Sequence, residues 1–413
     1  MKSRLVFLAP ALAATLLAAC TSTAPTQPPA SPTPSATTPY ASPWPSDGNT
    51  EVPPTTFTVV SAGDILPHTS VYEAAKKPDG TYDFVPKMAA SRPFVEGADL
   101  ALCSLEIPIA PKGTKPSGYP MFGAPTELIG DLKTLGWDGC TIATNHTGDR
   151  GWDGLKTTLD LFDQHKLGAT GAGRSEAERL SPAYYRLTKD GRTVTVAHVS
   201  GTYGLNGLPD PGKAQGFQAV NMLEDMLEAA KSAKAAGADI VIVSPHWGIE
   251  YQMQPNDEQV TLARALAESG AVDAIIGTHP HVPQKIESLP GPGGAKVPVV
   301  YSTGNFYSGQ DENCCTRETA TGVMVQLAIE ADDTAATVKA MTYTPVTMDL
   351  AAGRTQYLLA PLHQGKRPEG LTLEASRITK RWEALLAVMG SELMNTTAPT
   401  GKASVELITE PTR

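Results

Sequence analysis

The feature that most constrains this chain is a unit that occurs three times: an amphipathic helix closed by glycine, a short apolar strand, and polar residues just past the strand. Leu128, Leu132 and Leu135 fall on one helical face, Gly136 closes the helix, residues 140–143 read as a strand, and Asn145-His146 follow. Leu223, Leu227 and Ala230 lead in the same way to Gly237, a strand at 240–244 and His246. Leu262 and Leu266 lead to Gly270, a strand at 272–276, and then His279 and His281. Spacings of three and four residues mark one face of a helix, and glycine after the last apolar position is a stop signal. Two further apolar runs, 57–62 and 100–104, end at Gly63-Asp64 and just before Glu106. Strands alternating with helices predict an α/β domain with a substantially parallel sheet. Ligands bind beyond the carboxyl ends of such strands, and Asp64, Glu106, Asn145, His246, His279 and His281 all fall there.

Carboxylate and imidazole together suit borderline or hard divalent ions such as manganese, zinc or iron. The set is larger than one four-coordinate ion needs, so it predicts two ions roughly 3.5–4 Å apart that share a bridging carboxylate. With the chain extended through Pro280, His279 and His281 point to the same side. His68, four residues after Asp64, is a ligand or a neighbour according to whether the intervening loop curls back. His146 reads as proton donor to a leaving group, or as a residue that orients a ligand. Asp149 either orients His146 or caps the next helix. Trp247, Glu250 and Tyr251 are candidates to line a substrate cleft, and Arg150 and Arg317 to grip an anionic group through the guanidinium fork. His198, inside a strand at 194–199, reads as a core residue.

The ends of the chain say where it works. Lys2 and Arg4 precede an apolar run that ends at Leu17-Ala18-Ala19-Cys20, too short to span a bilayer and typical of an export signal. Ten prolines among Thr, Ser and Ala between Thr21 and Thr56 describe a tether, which at ~3.1 Å per residue reaches roughly 100 Å when extended. The expected organisation is a signal peptide at 1–19, Cys20 with a linker to 55, a folded domain at 56–390 and a loosely ordered polar tail at 391–413. An amphipathic helix carrying Ile378, Trp382, Leu385 and Met389 and stopped by Gly390 ends the domain. The formal charge of −10 disfavours nucleic acid as a partner. Besides Cys20 there are Cys103, Cys140, Cys314 and Cys315. In an oxidising compartment Cys103 with Cys140, and Cys314 with its neighbour, are conceivable bridges, and free thiols are equally so.

Six motifs stand in order: Gly63-Asp64-Ile65-Leu66-Pro67-His68, Ser104-Leu105-Glu106, the run from Ala143 through Asn145-His146 to Gly151, Pro245-His246-Trp247-Gly248-Ile249-Glu250-Tyr251, Gly277-Thr278-His279-Pro280-His281-Val282-Pro283-Gln284, and Tyr301-Ser302-Thr303-Gly304-Asn305-Phe306. As a set, over residues 57–329, they resemble the CapA family of poly-γ-glutamate capsule synthesis proteins, related to the calcineurin-like metallophosphatases. The small residues before Cys20 likewise resemble the lipobox of bacterial lipoproteins. The resemblance implies a metallophosphatase-like four-layer αββα sandwich with two mixed β-sheets. It also implies an envelope protein, anchored at the outer face of the cell membrane through lipidated Cys20, that serves capsule or related anionic polymer biosynthesis. A phosphoesterase-like hydrolase site, an anionic polymer or phosphoester as substrate, and a polymer synthase or export complex as partner belong to the same expectation. Alternatives are a non-enzymatic polymer-binding partner of such a complex and a phosphoesterase for an unrelated envelope substrate. By position, Asp64, Glu106, Asn145, His246, His279 and His281 match the family's metal-site motifs and His146 its catalytic-type histidine. The chain departs from the family pattern at Ser104 and Thr144, where asparagines are usual, which predicts one lost polar contact near each.

Overall fold

The computed structural model describes residues 53–411 apart from 352 and 402. The export signal, Cys20 and the linker up to residue 52 lie outside the described residues. In chain order the strands are β1 (Thr55–Leu66), β2 (Leu100–Leu105), β3 (Gly139–Thr141), β4 (Gly168–Thr170), β5 (Ala183–Lys189), β6 (Arg192–Thr202), β7 (Ile240–His246), β8 (Ala274–Ile276), β9 (Ile286–Pro290), β10 (Lys296–Val300), β11 (Asn305–Ser308), β12 (Thr321–Ala331), β13 (Ala336–Asp349), β14 (Thr355–Leu358) and β15 (Ser404–Ile408). They form two sheets. The first runs β14-β13-β12-β1-β2-β3-β4 with β11 added beside the end of β1, and the second runs β15-β5-β6-β7-β8-β10-β9.

Both sheets are mixed. Strands β1 to β4 are parallel, whereas β12 lies antiparallel to β1 and to β13. In the second sheet β6, β7, β8 and β10 are parallel, flanked by antiparallel β5 and β9. The sequence rhythm predicts the parallel centres and misses the long β12–β13 hairpin, whose strands have no helix between them.

Alternation along the strands creates three apolar layers, because successive side chains point to opposite faces. Phe57 and Val59 of β1, Leu100 and Leu102 of β2, Val194 and Val196 of β6, and Ile240 and Ile242 of β7 meet between the sheets. The opposite faces carry Val60, Ala101 and Cys103, covered by helices Glu127–Thr134 and Gly151–His165. Likewise Val199, Val241 and Val243 are covered by helices Asp225–Ala236 and Asp257–Glu268. The result is the helix–sheet–sheet–helix sandwich. The last of these helices starts in a capping box, with Asn256 and Gln259 satisfying each other's backbone N–H groups. Ile378, Leu385 and Met389 of helix Ala375–Met389 close one end of the inter-sheet layer. Among the described residues no helix is long and apolar enough to cross a membrane.

The polar tail is a correction. Instead of hanging loose, residues 404–408 form β15, antiparallel to β5 from Ser404↔Thr188 to Ile408↔Tyr184. Ala403 N–H donates to buried Asp99 (2.6 Å) on the way. The side chains of β15 are mostly exposed, so polar composition is compatible with it: backbone pairing, not an apolar face, holds this edge strand. Cys103 and Cys140 stand in register on β2 and β3, Cα atoms 4.3 Å apart, and are bridged. Cys314 and Cys315 form a vicinal bridge.

Candidate metal centre

Every donor enters from the end of a strand. Asp64 lies near the end of β1, where a close approach fixes the chain: a Cβ at Gly63 would run into Gly304 O. Only glycine fits there, and the Asp64 N–H then donates to Gly304 O (3.0 Å). Glu106 follows β2, with its N–H still bonded to Ile65 O (3.2 Å). Asn145 and His146 follow β3 in a turn tied by Thr147 Oγ1 to Ile142 O (2.6 Å). His246 ends β7, and His279 and His281 follow β8.

Expected donors 215 residues apart are neighbours. The His279 N–H donates to Asp64 Oδ2 (3.1 Å) and Ser104 Oγ to Asp64 Oδ1 (3.1 Å). Glu106 Oε1 lies 3.7 Å from His246 Nε2 and 3.5 Å from His281 Nε2. His246 Nε2 is 2.9 Å from Asn145 Oδ1. One ligand atom each from Glu106, His279 and His281 lie within 4.8 Å of one another. All six expected ligands are buried, Asp64, Glu106 and His246 completely.

The electrostatics suit a cation. Burial pushes Asp64 up to about 7 against the lowering effect of its two hydrogen bonds. Glu106 is pushed well above the usual carboxylate range by burial first and by the Asp64 charge second. Burial and, to a smaller extent, neighbouring imidazoles hold His246 and His281 well below their ordinary value, and His279 falls to about 3. The contact of 3.6 Å between Asp64 and His281 is therefore no ion pair, because the imidazole is neutral. Both Glu106 oxygens and His279 Nδ1 are buried without a hydrogen-bond partner. Orphaned acceptors beside carboxylates that lack a lysine or arginine are the environment a divalent ion would complete. The donor set fits the metal that the motifs imply.

The backbone at the paired histidines is not extended. His279 has φ 93° and His281 φ 60°, conformations that cost about 1–3 kcal/mol each in non-glycine residues. The turn is held by His279 N–H on Asp64 and by Tyr251 N–H on Pro280 O (2.8 Å).

Beside the ligands, His146 Nδ1 is 2.8 Å from Asp149 Oδ2, and the same oxygen accepts from Phe122 N–H (2.7 Å). Asp149 orients His146 and does not cap the following helix, whose N-cap position is Arg150, with no side-chain cap. His68 borders the group: its Nδ1 lies 2.9 Å from Leu66 O and 3.2 Å from Gly309 N, one or the other bonded according to its tautomer, and its ring meets Phe122, which also meets His146.

The substrate-lining expectations divide. Tyr251 flanks His281, ring centroids 6.2 Å apart, and its hydroxyl pKa is raised by burial first and by exposed Glu250 second. Trp247 lines nothing; it is fully buried, with its indole N–H on Tyr301 O (2.8 Å), because the strand end turns it inward to the helix layer. Arg150 spends its fork on Ser117 Oγ, Thr114 Oγ1 and Lys115 O, holding that loop. Arg317 is exposed at the start of a short helical turn, Arg317–Ala320. The expected loss of contacts at Ser104 and Thr144 is overturned, since Ser104 Oγ serves Asp64 and Thr144 Oγ1 donates to Glu106 O (2.5 Å). Sequence reasoning overlooked Tyr203, whose ring is 4.6 Å from His279, and Asn206, which accepts from Asn145 Nδ2 (3.3 Å). Both follow β6, a strand end bearing no charged residue to advertise it. His198 is a fully buried core residue, 2.9 Å from Ser244 Oγ.

A family model described as bacterial capsule synthesis protein PGA_cap matches residues 58–310, a span that contains every donor above. The PGA biosynthesis protein CapA of Bacillus subtilis is 35% identical over 188 residues, covering 45% of this chain and 46% of that protein. The capsule biosynthesis protein CapA of Bacillus anthracis is 28% identical over 266 residues, covering 62% and 60%. The chain thus spans about half the length of these curated relatives. Among solved structures, a 5'-nucleotidase precursor from Thermus thermophilus is similar with TM-score 0.45 and 16% identity, over 81% of this chain and 59% of that one, too distant to carry chemistry across. From the first strand to the loop that follows β11, the chain belongs to the bacterial capsule synthesis protein family PGA_cap.

Proposed function

We propose that this protein is a lipid-anchored, metal-dependent hydrolase of phosphoester type acting in capsular or related anionic polymer metabolism at the outer face of the membrane. The observation that carries the reading is the buried Glu106 carboxylate, both oxygens unpartnered, facing three neutral imidazoles and a second buried carboxylate. One or two divalent ions held by Asp64, Glu106, Asn145, His246, His279 and His281 would polarise a phosphoryl or acyl oxygen and lower the pKa of an attacking water.

The rest is done by the chain. Asp149 accepts the Nδ1 proton of His146 and so leaves Nε2 as the nitrogen free to react; the doubly protonated imidazolium, paired with the Asp149 carboxylate, gives its Nε2 proton to a departing oxygen and returns to the neutral Nδ1–H form. Phe122 packs against the His146 ring at 4.8 Å and fixes Asp149 through its N–H, so neither partner turns away. Tyr203, 43% exposed, and Tyr251 present their rings beside His279 and His281 to an incoming group. The family membership supports the polymer role, and the Leu17-Ala18-Ala19-Cys20 sequence supports the anchor.

Elemental analysis of the purified protein, with turnover assays on phosphoesters and γ-glutamyl polymers, tests the proposal. Wild type is expected to retain manganese, zinc or iron and to turn over one substrate class. Metal in wild type without turnover of either class would favour a polymer-binding partner of a synthase, and absence of metal would remove the hydrolase reading altogether.

A further inference from the structure

We infer that Asn305 is a positioning residue that fixes the tautomer of His281, so that Nε2, and not Nδ1, is the nitrogen turned to the cation; the inference rests on the metal-site reading above. Asn305 starts β11 and lies in register with Asp64 on β1, which brings its side chain to the same imidazole. Asparagine oxygen and nitrogen have opposite roles, and only the hydrogen-bond network tells them apart. Here the network leaves no choice. Asn305 Nδ2 has two neighbours, Gln310 Oε1 (2.9 Å) and the Thr319 carbonyl oxygen (2.9 Å), and a carbonyl oxygen can only accept. Both Nδ2 hydrogens are therefore spent, and the atom 3.0 Å from His281 Nδ1 is Oδ1, an acceptor.

An acceptor facing an imidazole nitrogen requires that nitrogen to carry the hydrogen. The second oxygen near Nδ1, Asp64 Oδ2 at 3.6 Å, is also an acceptor, already taking the His279 N–H. A neutral imidazole has one N–H, so Nε2 keeps its lone pair, and Nε2 is the atom 3.5 Å from unpartnered Glu106 Oε1. Asn305 is buried, 2% exposed, so water does not compete for the bond. Its chain of contacts continues through Gln310, whose Nε2 is 3.5 Å from the Tyr251 hydroxyl. Asn305 thereby ties a ligand to a ring at the cleft.

Two substitutions separate this role from loop packing. Asn305→Asp keeps an oxygen for His281 Nδ1–H but loses the donors to Gln310 and Thr319, whereas Asn305→Leu loses both. Two measurements suffice: proton–nitrogen NMR correlation of the His281 ring in metal-free protein near neutral pH, and zinc or manganese affinity by chelator competition. Wild type and Asn305→Asp are expected to show the Nδ1–H tautomer, and Asn305→Leu a mixture with Nε2–H. Affinity should fall roughly 10- to 100-fold in Asn305→Leu, the usual effect of losing a residue that orients a metal-bound histidine, and by less in Asn305→Asp. An Nε2–H tautomer in wild type, or equal damage in the two variants, overturns the inference. A wild type that binds neither ion but keeps the Nδ1–H form overturns the hydrolase reading and leaves the tautomer assignment standing.

Discussion

The two sheets contribute different atoms to the same place. The first supplies oxygen: Asp64 from β1, Glu106 after β2 and Asn145 after β3, with Asn305 of β11 in support. The second supplies nitrogen: His246 from β7 and His279 and His281 after β8. The oxygen donors keep negative φ, Asp64 at an irregularity in β1, whereas His279 and His281 sit on backbone with positive φ. A cation held by both groups would join the two sheets, so its binding energy would add to their packing and stabilise the sandwich by mass action. Strain is concentrated on the nitrogen side, where one short turn must deliver two rings, and unpartnered carboxyl oxygens on the oxygen side.

The largest effect that would break this comparison comes from the nitrogen half. His281→Ala is expected to lose bound metal and turnover together, read by elemental analysis, and retention of full metal would show that the oxygen half suffices. Next, His146→Ala should keep its metal while turnover drops about a hundred- to ten-thousand-fold, the range for a general acid. Glu106→Gln sharpens the oxygen side. It removes a buried, unpartnered carboxyl whose ionisation is opposed by burial and by Asp64 in the metal-free protein, so the metal-free melting temperature, measured at a pH above the ordinary carboxylate range, should rise while the increment on adding metal disappears.

Smaller effects follow from how each sheet is held. Cys103→Ser with Cys140→Ser removes the bridge between β2 and β3, with an expected loss of about 2–4 kcal/mol in denaturant unfolding. Deleting residues 403–413 strips β15 from β5. It should lower the midpoint by only a few degrees and increase aggregation through the freed edge, measured by light scattering. If the deletion disturbs metal content, the edge and the seam are coupled more tightly than their separation across the second sheet implies.

Much of the site was legible because strand ends are local signals. Asp64, Glu106, Asn145 and His246 are announced by an apolar run that stops at a polar residue, and the structure brings them together. Trp247 and Arg150 show the limit: their neighbours in sequence are site residues, yet one turns into the helix layer and the other onto the 114–117 loop. Tyr203 and Asn206 show the converse. They reach the site from a strand end whose following loop is neutral and glycine-rich, which looks like any surface connection. The tail was misjudged because edge pairing uses backbone groups that every sequence possesses.

By itself the sequence determined the layered α/β frame and the rim on which the donors stand, since periodicity and helix stops act over a few residues. Only the tertiary structure decided which partner faces each nitrogen of His281, which histidines stand together beside Glu106, and how a bond can join His279 to Asp64 across 215 residues. Those choices are made by hydrogen-bond partners from the opposite sheet, and no local pattern encodes the identity of an atom that arrives from so far along the chain.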